Sequence, residues 1–259
     1  MLPVELPDRF MTVADLGSPV DVYSMAKWKL ALLALVSVAF LAGSIASPFL
    51  AKAAAFEMVR EWYVATGVFA MVAVVAGALA WIRSRNVIAV YEDGFAWAKG
   101  NRITSYRWDG IAAMTSAVTK MSVNFIPAGT THRHTLDLIS GDRIVLTNDK
   151  IGRVGQLADH IRGQIMPRLF EQAAETYNRG EEVEFGPVTI GRDIGIQHGK
   201  KHLTWDEVES VGAGDGELQL RKRDGGAFSH IRIAISTVPN FEALYMMLEQ
   251  VLGLGQEPE

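Results

Sequence analysis

The sequence predicts a membrane-anchored α+β protein, in which a transmembrane helical hairpin is followed by two related β modules, each closed by a C-terminal helix. Three observations lead to this prediction. Residues 30–50 and 62–82 are apolar runs of 21 residues without a charged side chain. After Arg85, short alternating runs separated by turn residues indicate β-strands. The order of motifs in this second part occurs twice, which indicates an internal repeat.

The two apolar runs lie within a hairpin predicted for residues 27–85. An α-helix needs about 20 residues to cross a hydrocarbon layer of about 30 Å, so each run is long enough to span. Trp28 and Trp81 lie at run ends, where amphipathic rings favour the membrane interface. The alternative is a pair of helices buried in a large soluble core, but such helices seldom run this long without a polar face.

Basic residues set the expected orientation of the hairpin. Four lie on its terminal sides and two in its connecting loop: Lys27, Lys29, Arg83 and Arg85, against Lys52 and Arg60. The positive-inside rule therefore predicts a multi-pass protein of the plasma or inner membrane with both termini in the cytoplasm. Residues 1–26 contain four acidic residues and no basic start typical of a signal peptide, so they are predicted to be a cytoplasmic lead-in.

The lead-in shows no sustained periodicity and is expected to be mostly irregular. Within it, residues 16–23 are either a short extended piece, lying against the soluble part or the lipid headgroups, or a loose tether. Small residues recur every four positions on both predicted membrane helices and offer faces for close packing: Ala39, Gly43 and Ser47, then Ala73 and Gly77.

Composition excludes several functional classes. Residues 87–259 carry 18 Lys and Arg against 23 Asp and Glu, so no bulk positive charge would recruit nucleic acid. The chain has no cysteine, which excludes disulfides, thiolate metal ligands and a cysteine nucleophile.

The first β module is predicted over residues 87–180. Strands are expected at 87–91, 95–98, 103–108, 135–138 and 143–146, separated by turns rich in Gly and Asp. Apolar residues at helical spacing from Val154 to Ile165 then predict an amphipathic helix. Pro167 either kinks this helix or opens a second one, which ends at Gly180.

The second, shorter module is predicted over residues 183–253 and is followed by a tail at 254–259. Strands are expected at 188–190, 195–198, 203–211, 217–221 and 231–235. A closing helix is predicted from Asn240, as N-cap, to Gly253, which is a natural stop.

The repeat is carried by a Gly, followed by Trp-Asp and an aliphatic residue, in each half. The matching residues are Gly94, Trp108, Asp109 and Ile111 in the first copy, and Gly195, Trp205, Asp206 and Val208 in the second. We interpret the two Trp side chains as core anchors and the two Asp side chains as caps or turn formers.

This order of strands, with a Trp-Asp step and a closing helix, resembles the bacterial pleckstrin-homology-like (PH-like) domains. Two membrane helices followed by such domains are similar to a bacterial membrane-protein family of unknown function. The resemblance implies two PH-like β modules and brings no catalytic residue or cofactor with it. The second copy is short, so it is either a truncated barrel or part of one composite domain.

Candidate chemical groups are few. His132 and His134 would share one face of a strand, as half of a metal site, but no third ligand is evident and no metal or cofactor is predicted. Two basic turns are candidate contacts for anionic lipid or a partner: Lys200, Lys201 and His202, then Arg221, Lys222 and Arg223. The alternative is that they are solvated turns that keep sheet edges from pairing.

These observations predict a non-enzymatic scaffold or adaptor whose PH-like modules bind a protein, a peptide or lipid headgroups. Two alternatives remain: an accessory subunit of a transport or secretion complex that uses the small-residue helix faces, and an enzyme with a site around His132, His134 and Asp142. The oligomeric state does not follow from one sequence.

Overall fold

The computed structural model describes residues 10, 14–25, 27–53, 59–123, 126–223 and 230–253. They form an α+β fold of two apolar helices, several antiparallel sheets and a C-terminal helix. Two compact units divide the chain. The first comprises Met1–Tyr106 with Asp149–Arg153, and the second comprises Arg107–Asn148 with Val154–Glu259. The tail at 254–259 lies outside the described residues.

The first unit contains a four-stranded sheet in the order β1-β2-β3-β4. Its strands are β1 (Pro19–Ser24), β2 (Asn86–Tyr91), β3 (Gly94–Lys99) and β4 (Arg102–Arg107). Two helices lie between β1 and β2 in the chain, namely α1 (Lys27–Ala53) and α2 (Val59–Ser84). The apolar hairpin is therefore inserted within the sheet, between two strands that pair with each other.

Strand β1 corrects the expectation of a mostly irregular lead-in. It pairs antiparallel with β2, with Tyr23 opposite Ile88, so residues 16–23 are not a loose tether. Phe10 and Leu16 join the core of this sheet together with Val87, Ala89, Tyr91, Ala96 and Ala98. Burial of these apolar side chains offsets the entropy lost in ordering the segment.

The second unit begins with a three-stranded antiparallel sheet and a long helix. The elements are β5 (Ile111–Val123), β6 (Ile126–Leu138), β7 (Arg143–Thr147) and α3 (Val154–Asn178). Strands β5 and β6 form a long ladder, of which only the end at residues 135–138 was predicted. The polar residues at 115–116 and 130–135 interrupt the apolar alternation, which explains why the sequence pattern does not indicate a strand there.

Helix α3 continues through Pro167, so no second helix opens at this residue. Proline inside a helix costs about 3 kcal/mol, because a hydrogen bond is lost and the ring clashes with the preceding turn. Ile165 and Leu169 are buried on either side of it. The apolar stripe therefore keeps the helix together across the proline.

Seven further strands and a helix follow within the described residues. A four-stranded sheet contains β8 (Val183–Phe185), β9 (Val188–Gly191), β10 (Gly195–His198) and β11 (Lys201–Leu203). A three-stranded sheet contains β12 (Val208–Gly214), β13 (Glu217–Lys222) and β14 (His230–Ala234), and α4 (Phe241–Leu252) follows it. The single strand expected at 203–211 is wrong, because a 3-10 turn at Trp205–Glu207 ends one sheet before the next begins.

The order of elements along the chain repeats. A four-stranded sheet, a 3-10 turn that starts with Trp, a three-stranded sheet and a helix occur once from β1 to α3 and again from β8 to α4. The second copy has as many strands as the first because β1, which precedes the apolar hairpin, completes the first.

Candidate functional site

The first basic turn presents two lysines without a carboxylate partner. Lys200 lies in the turn between β10 and β11, and Lys201 begins β11. Both are exposed, and no carboxylate of the described residues lies within 4 Å of either ammonium group. The exposed His202 imidazole contacts the carbonyl oxygen of Ile194. This turn therefore carries an uncompensated positive charge on an exposed edge.

Two of the three cations of the second basic turn are paired with carboxylates. Arg221 forms an ion pair with Glu209 at 3.0 Å, and Lys222 forms one with Glu207 at 2.6 Å. The Lys222 ammonium and the backbone N–H of Thr204 hold the pKa of Glu207 below its usual value. These carboxylates reduce the attraction of the turn for anions.

Arg223 anchors the end of β13. Its backbone N–H donates to the carbonyl of Glu207 at 2.7 Å, and its guanidinium donates to the carbonyl of Val208 at 3.5 Å. The two basic turns belong to different sheets. Of the two, the turn at Lys200 and Lys201 is the better candidate contact.

The repeat residues of the first copy form a structural junction. Trp108 is buried in a 3-10 turn, and Ile111, which follows it, is fully buried. Arg168 on α3 donates to the carbonyl of Trp108 at 3.3 Å and to that of Ile111 at 2.6 Å. Asp109 is exposed and pairs with Arg107 at 3.4 Å. Gly94 is buried at the start of β3.

The second copy uses the same residues with different contacts. Trp205 is half-buried, and its indole N–H donates to the carbonyl of Gly191 at 2.9 Å. Val208 is buried at the start of β12. Asp206 is exposed, and Glu207, not Asp206, accepts from the backbone N–H of Thr204 at 3.2 Å.

Gly195 is required by both conformation and space. Its φ is +72°, and a Cβ there would overlap the carbonyl oxygen of Leu203. The glycine, tryptophan and aliphatic residues of the repeat motif therefore have structural roles.

His132 and His134 share one face of β6, with ring centroids 6.3 Å apart. Asp142 is not near them, because its carbonyl accepts from the N–H of Leu138 at the end of this strand. Leu138 lies four residues beyond His134, which is about 13 Å along a strand. Among the residues that the structure describes, no group of three His, Asp or Glu side chains could hold a metal ion.

His134 is a buried histidine bonded to a hydroxyl. Its Nδ1 lies 2.9 Å from Ser116 Oγ, and Arg162 Nη2 donates to the same oxygen at 3.3 Å. Burial, followed by the Arg162 guanidinium and His132, lowers the pKa of His134 to about 4. A neutral imidazole is thus maintained at pH 7, but among the described residues its Nε2 has no hydrogen-bond partner, so no third group orients His134 as a general base for Ser116.

A groove of about 700 Å³ lies between α3 and α4, and sequence reasoning missed it. Its floor includes Met166, Phe170 and Met246, and its rim includes Arg162 paired with Glu242 at 2.8 Å. Neither Ser116 nor His134 lines this groove. The serine and histidine therefore have no substrate space at this groove.

Asn240 holds α4 against β5 and does not cap the helix with its side chain. Its φ is +52°, and its side-chain oxygen accepts from the N–H of Met114 at 2.8 Å. Its backbone N–H donates to the carbonyl of Met114, also at 2.8 Å. The left-handed backbone directs the Asn240 side chain toward β5. The sequence pattern predicts an N-cap at this residue and does not indicate the contact with β5.

The small residues of the apolar hairpin lie partly between its two helices. Ala73 is buried, and its carbonyl accepts from Ser37 Oγ at 2.8 Å. A Cβ at Gly77 would stand 3.0 Å from the same hydroxyl. Ala39 is exposed, and the side chain of Ser47 lies outside the described residues. The α2 face is therefore used in packing against α1.

The fold defines a class of protein in which two helices long and apolar enough to cross a membrane are inserted within a duplicated arrangement of antiparallel sheets. The chain belongs to the Family of unknown function (DUF6585), whose model matches residues 10–256. No curated protein matches the chain.

Proposed function

We propose that this chain is an integral protein of a bacterial inner membrane that presents two PH-like modules on the cytoplasmic face. The modules bind a protein, a peptide or lipid headgroups, and the chain acts as a scaffold or adaptor without catalysis. The observation that carries this proposal is the pairing of β1 with β2 on either side of the apolar hairpin.

This pairing constrains the topology. β1 ends at Ser24 and α1 begins at Lys27, while α2 ends at Ser84 and β2 begins at Asn86. Because paired strands must share one aqueous side, a hairpin connected this closely enters and leaves the membrane on the same side. A cleaved signal sequence would remove β1 from its sheet, so the pairing also favours a retained anchor.

The surface of the two helices supports a lipid environment. In the apolar segment of α1 only 6% of the residues are buried, and in that of α2 only 11%. Trp28, Leu35 and Val74 are exposed by 65%, 65% and 71% of their surface. Helices of a soluble core would be mostly buried, whereas a bilayer would cover these apolar faces.

The repeated order of elements supports the PH-like assignment. Each copy has a four-stranded sheet, a three-stranded sheet and a closing helix, and the resemblance implies several meandering strands capped by one helix. Exposed sheet edges of this kind accept added strands, and the turn at Lys200 and Lys201 attracts anionic groups.

Binding is favoured over the two alternatives by the contacts already described. The buried His134 is separated from Asp142, which leaves the enzyme interpretation without an assembled site. Ala73 and Gly77 pack within the hairpin, which reduces the small-residue surface available to a transporter subunit.

Three measurements on the intact protein test the proposal. The protein should resist alkaline carbonate extraction, and tags at both ends should be cleaved by protease only from the cytoplasmic side. Crosslinking in the native membrane should then capture a partner or lipid that is lost in Lys200→Gln/Lys201→Gln and kept in Arg221→Gln/Lys222→Gln. Carbonate release, or tags on opposite sides, would contradict the proposed topology.

A further inference from the structure

A basic cavity of about 660 Å³ lies within the first unit, where the apolar hairpin joins the sheet. Residues from the last turns of α2, the end of β3 and the segment at 149–150 line it. Its lining includes the side chains of Trp81, Arg83, Arg85, Trp97, Lys99 and Lys150. The cavity thus lies at the end of an apolar span.

Positive charge in this cavity exceeds negative charge. Four cationic side chains and one carboxylate, Asp149, line it. In the described residues, no ion pair within 4 Å joins Arg83, Lys99 or Lys150 to an acid. Arg85 donates to the Asn101 side chain at 3.1 Å and stacks 4.1 Å from the Trp81 ring, which leaves its charge uncompensated.

The pKa of Lys99 reflects the positive charge of the cavity. Its ammonium lies 3.7 Å from the centroid of the Trp97 ring. Burial, followed by the nearby Lys150 ammonium, lowers the pKa of Lys99. An anion between these two ammonium groups would oppose both effects, because an opposite charge favours the protonated form.

The remaining wall of the cavity is apolar. Leu79, Trp81 and Ile82 line it from α2, and Trp81 and Ile82 are each more than half exposed. These residues belong to the segment of α2, Val64–Ser84, that is long and apolar enough to cross a membrane. A ligand that fits both walls carries an anionic head beside a hydrocarbon chain.

We propose that this cavity binds the phosphate headgroup of an anionic phospholipid, with the acyl chains lying along the end of α2. This inference rests on the proposed membrane anchor and names one ligand class and one site for it. The phosphate lies among Lys99, Lys150 and Arg83, and the Trp97 ring forms part of the lining beside it. Inorganic phosphate shares the headgroup chemistry but leaves the apolar wall uncovered.

The test measures the melting temperature of the full-length protein in a non-ionic detergent. Phosphatidylglycerol should raise it, while phosphatidylcholine with the same acyl chains and millimolar inorganic phosphate should not. Lys99→Gln/Lys150→Gln should weaken the phosphatidylglycerol response at least about tenfold in the lipid concentration required, given about 1 kcal/mol for each lost cation.

Two further variants separate the site from general effects. Arg83→Gln removes a third cation of the lining, so it should also weaken the response. Arg143→Gln/Arg179→Gln removes two exposed cations of the second unit that do not line this cavity, and it should leave the response unchanged. Native mass spectrometry of each variant counts bound phosphatidylglycerol and shows whether a variant with a low melting temperature still binds.

Several results would overturn the proposal: equal stabilisation by both lipids, an equal response to inorganic phosphate, or an unchanged response in Lys99→Gln/Lys150→Gln. If the protein resists carbonate extraction and yet shows any of these results, only the lipid site fails. Release by carbonate would instead remove the membrane anchor on which the site depends.

Discussion

Tyr23, which precedes the apolar hairpin, lies opposite Ile88, which follows it, in the antiparallel ladder of β1 and β2. Both side chains are buried. Arg153 adds to this junction, because its guanidinium lies 5.0 Å from the Tyr23 ring and donates to the carbonyl of Val22 at 3.1 Å. The two ends of the hairpin are thus held together by one sheet.

Tyr23→Ala should destabilise the protein by about 3 kcal/mol, because it removes a buried aromatic ring from this junction. Thermal unfolding of the full-length protein in detergent measures the change. Ser24→Ala, at an exposed position of the same strand, is the matched control and should change little. An unchanged melting temperature in Tyr23→Ala would mean that β1 does not contribute to the fold.

Gly195→Ala should disrupt the sheet of β8 to β11, whereas Gly199→Ala should not. Both glycines have positive φ, +72° and +59°, so both variants incur about 1–2 kcal/mol of backbone strain. Only at Gly195 would the new Cβ overlap backbone atoms, of Leu203 and Thr204. Comparing their denaturant midpoints isolates this overlap, and equal losses would contradict the close approach.

His134 should make the protein less stable as the pH falls below 6.5. Burial lowers the pKa of its imidazole from 6.5 to about 4 in the folded state. The unfolded state therefore binds more protons between these values, and the free energy of unfolding should fall by about 3 kcal/mol across the interval.

Urea unfolding at several pH values measures this dependence. His134→Gln should flatten the pH profile between 6.5 and 4, while His198→Gln, at a half-buried position of β10, should leave it unchanged. If NMR of the folded protein shows the His134 imidazole titrating near 6.5, the prediction is contradicted.

Gly77→Val should loosen the apolar hairpin, because a Cβ at this position stands 3.0 Å from Ser37 Oγ. Overpacking of this kind costs about 1–3 kcal/mol. Gly67→Val is the matched control in the same helix, where a Cβ meets nothing within 4 Å. The difference between their melting temperatures in detergent measures the helix contact. If Gly67→Val lowers stability as much, helix propensity alone explains the loss.

Local patterns predicted much of the fold. Two uninterrupted apolar runs indicate helices of membrane length, and the structure has α1 and α2 there. The helical spacing of Leu157 and Ile161 predicted α3, and both residues are fully buried. These features depend on residues close together in the chain, so their spacing is sufficient to indicate them.

Long-range contacts could not be predicted in the same way. The sequence by itself determined the apolar hairpin, the β character after Arg85 and the repeat around Trp108 and Trp205. Only the tertiary structure decided that β1 pairs with β2, that Asn240 binds β5, and that Lys99 and Lys150 lie in one cavity. The physical reason is that periodicity records which face of a segment is buried, whereas strand partners and charge clusters depend on segments that folding brings together.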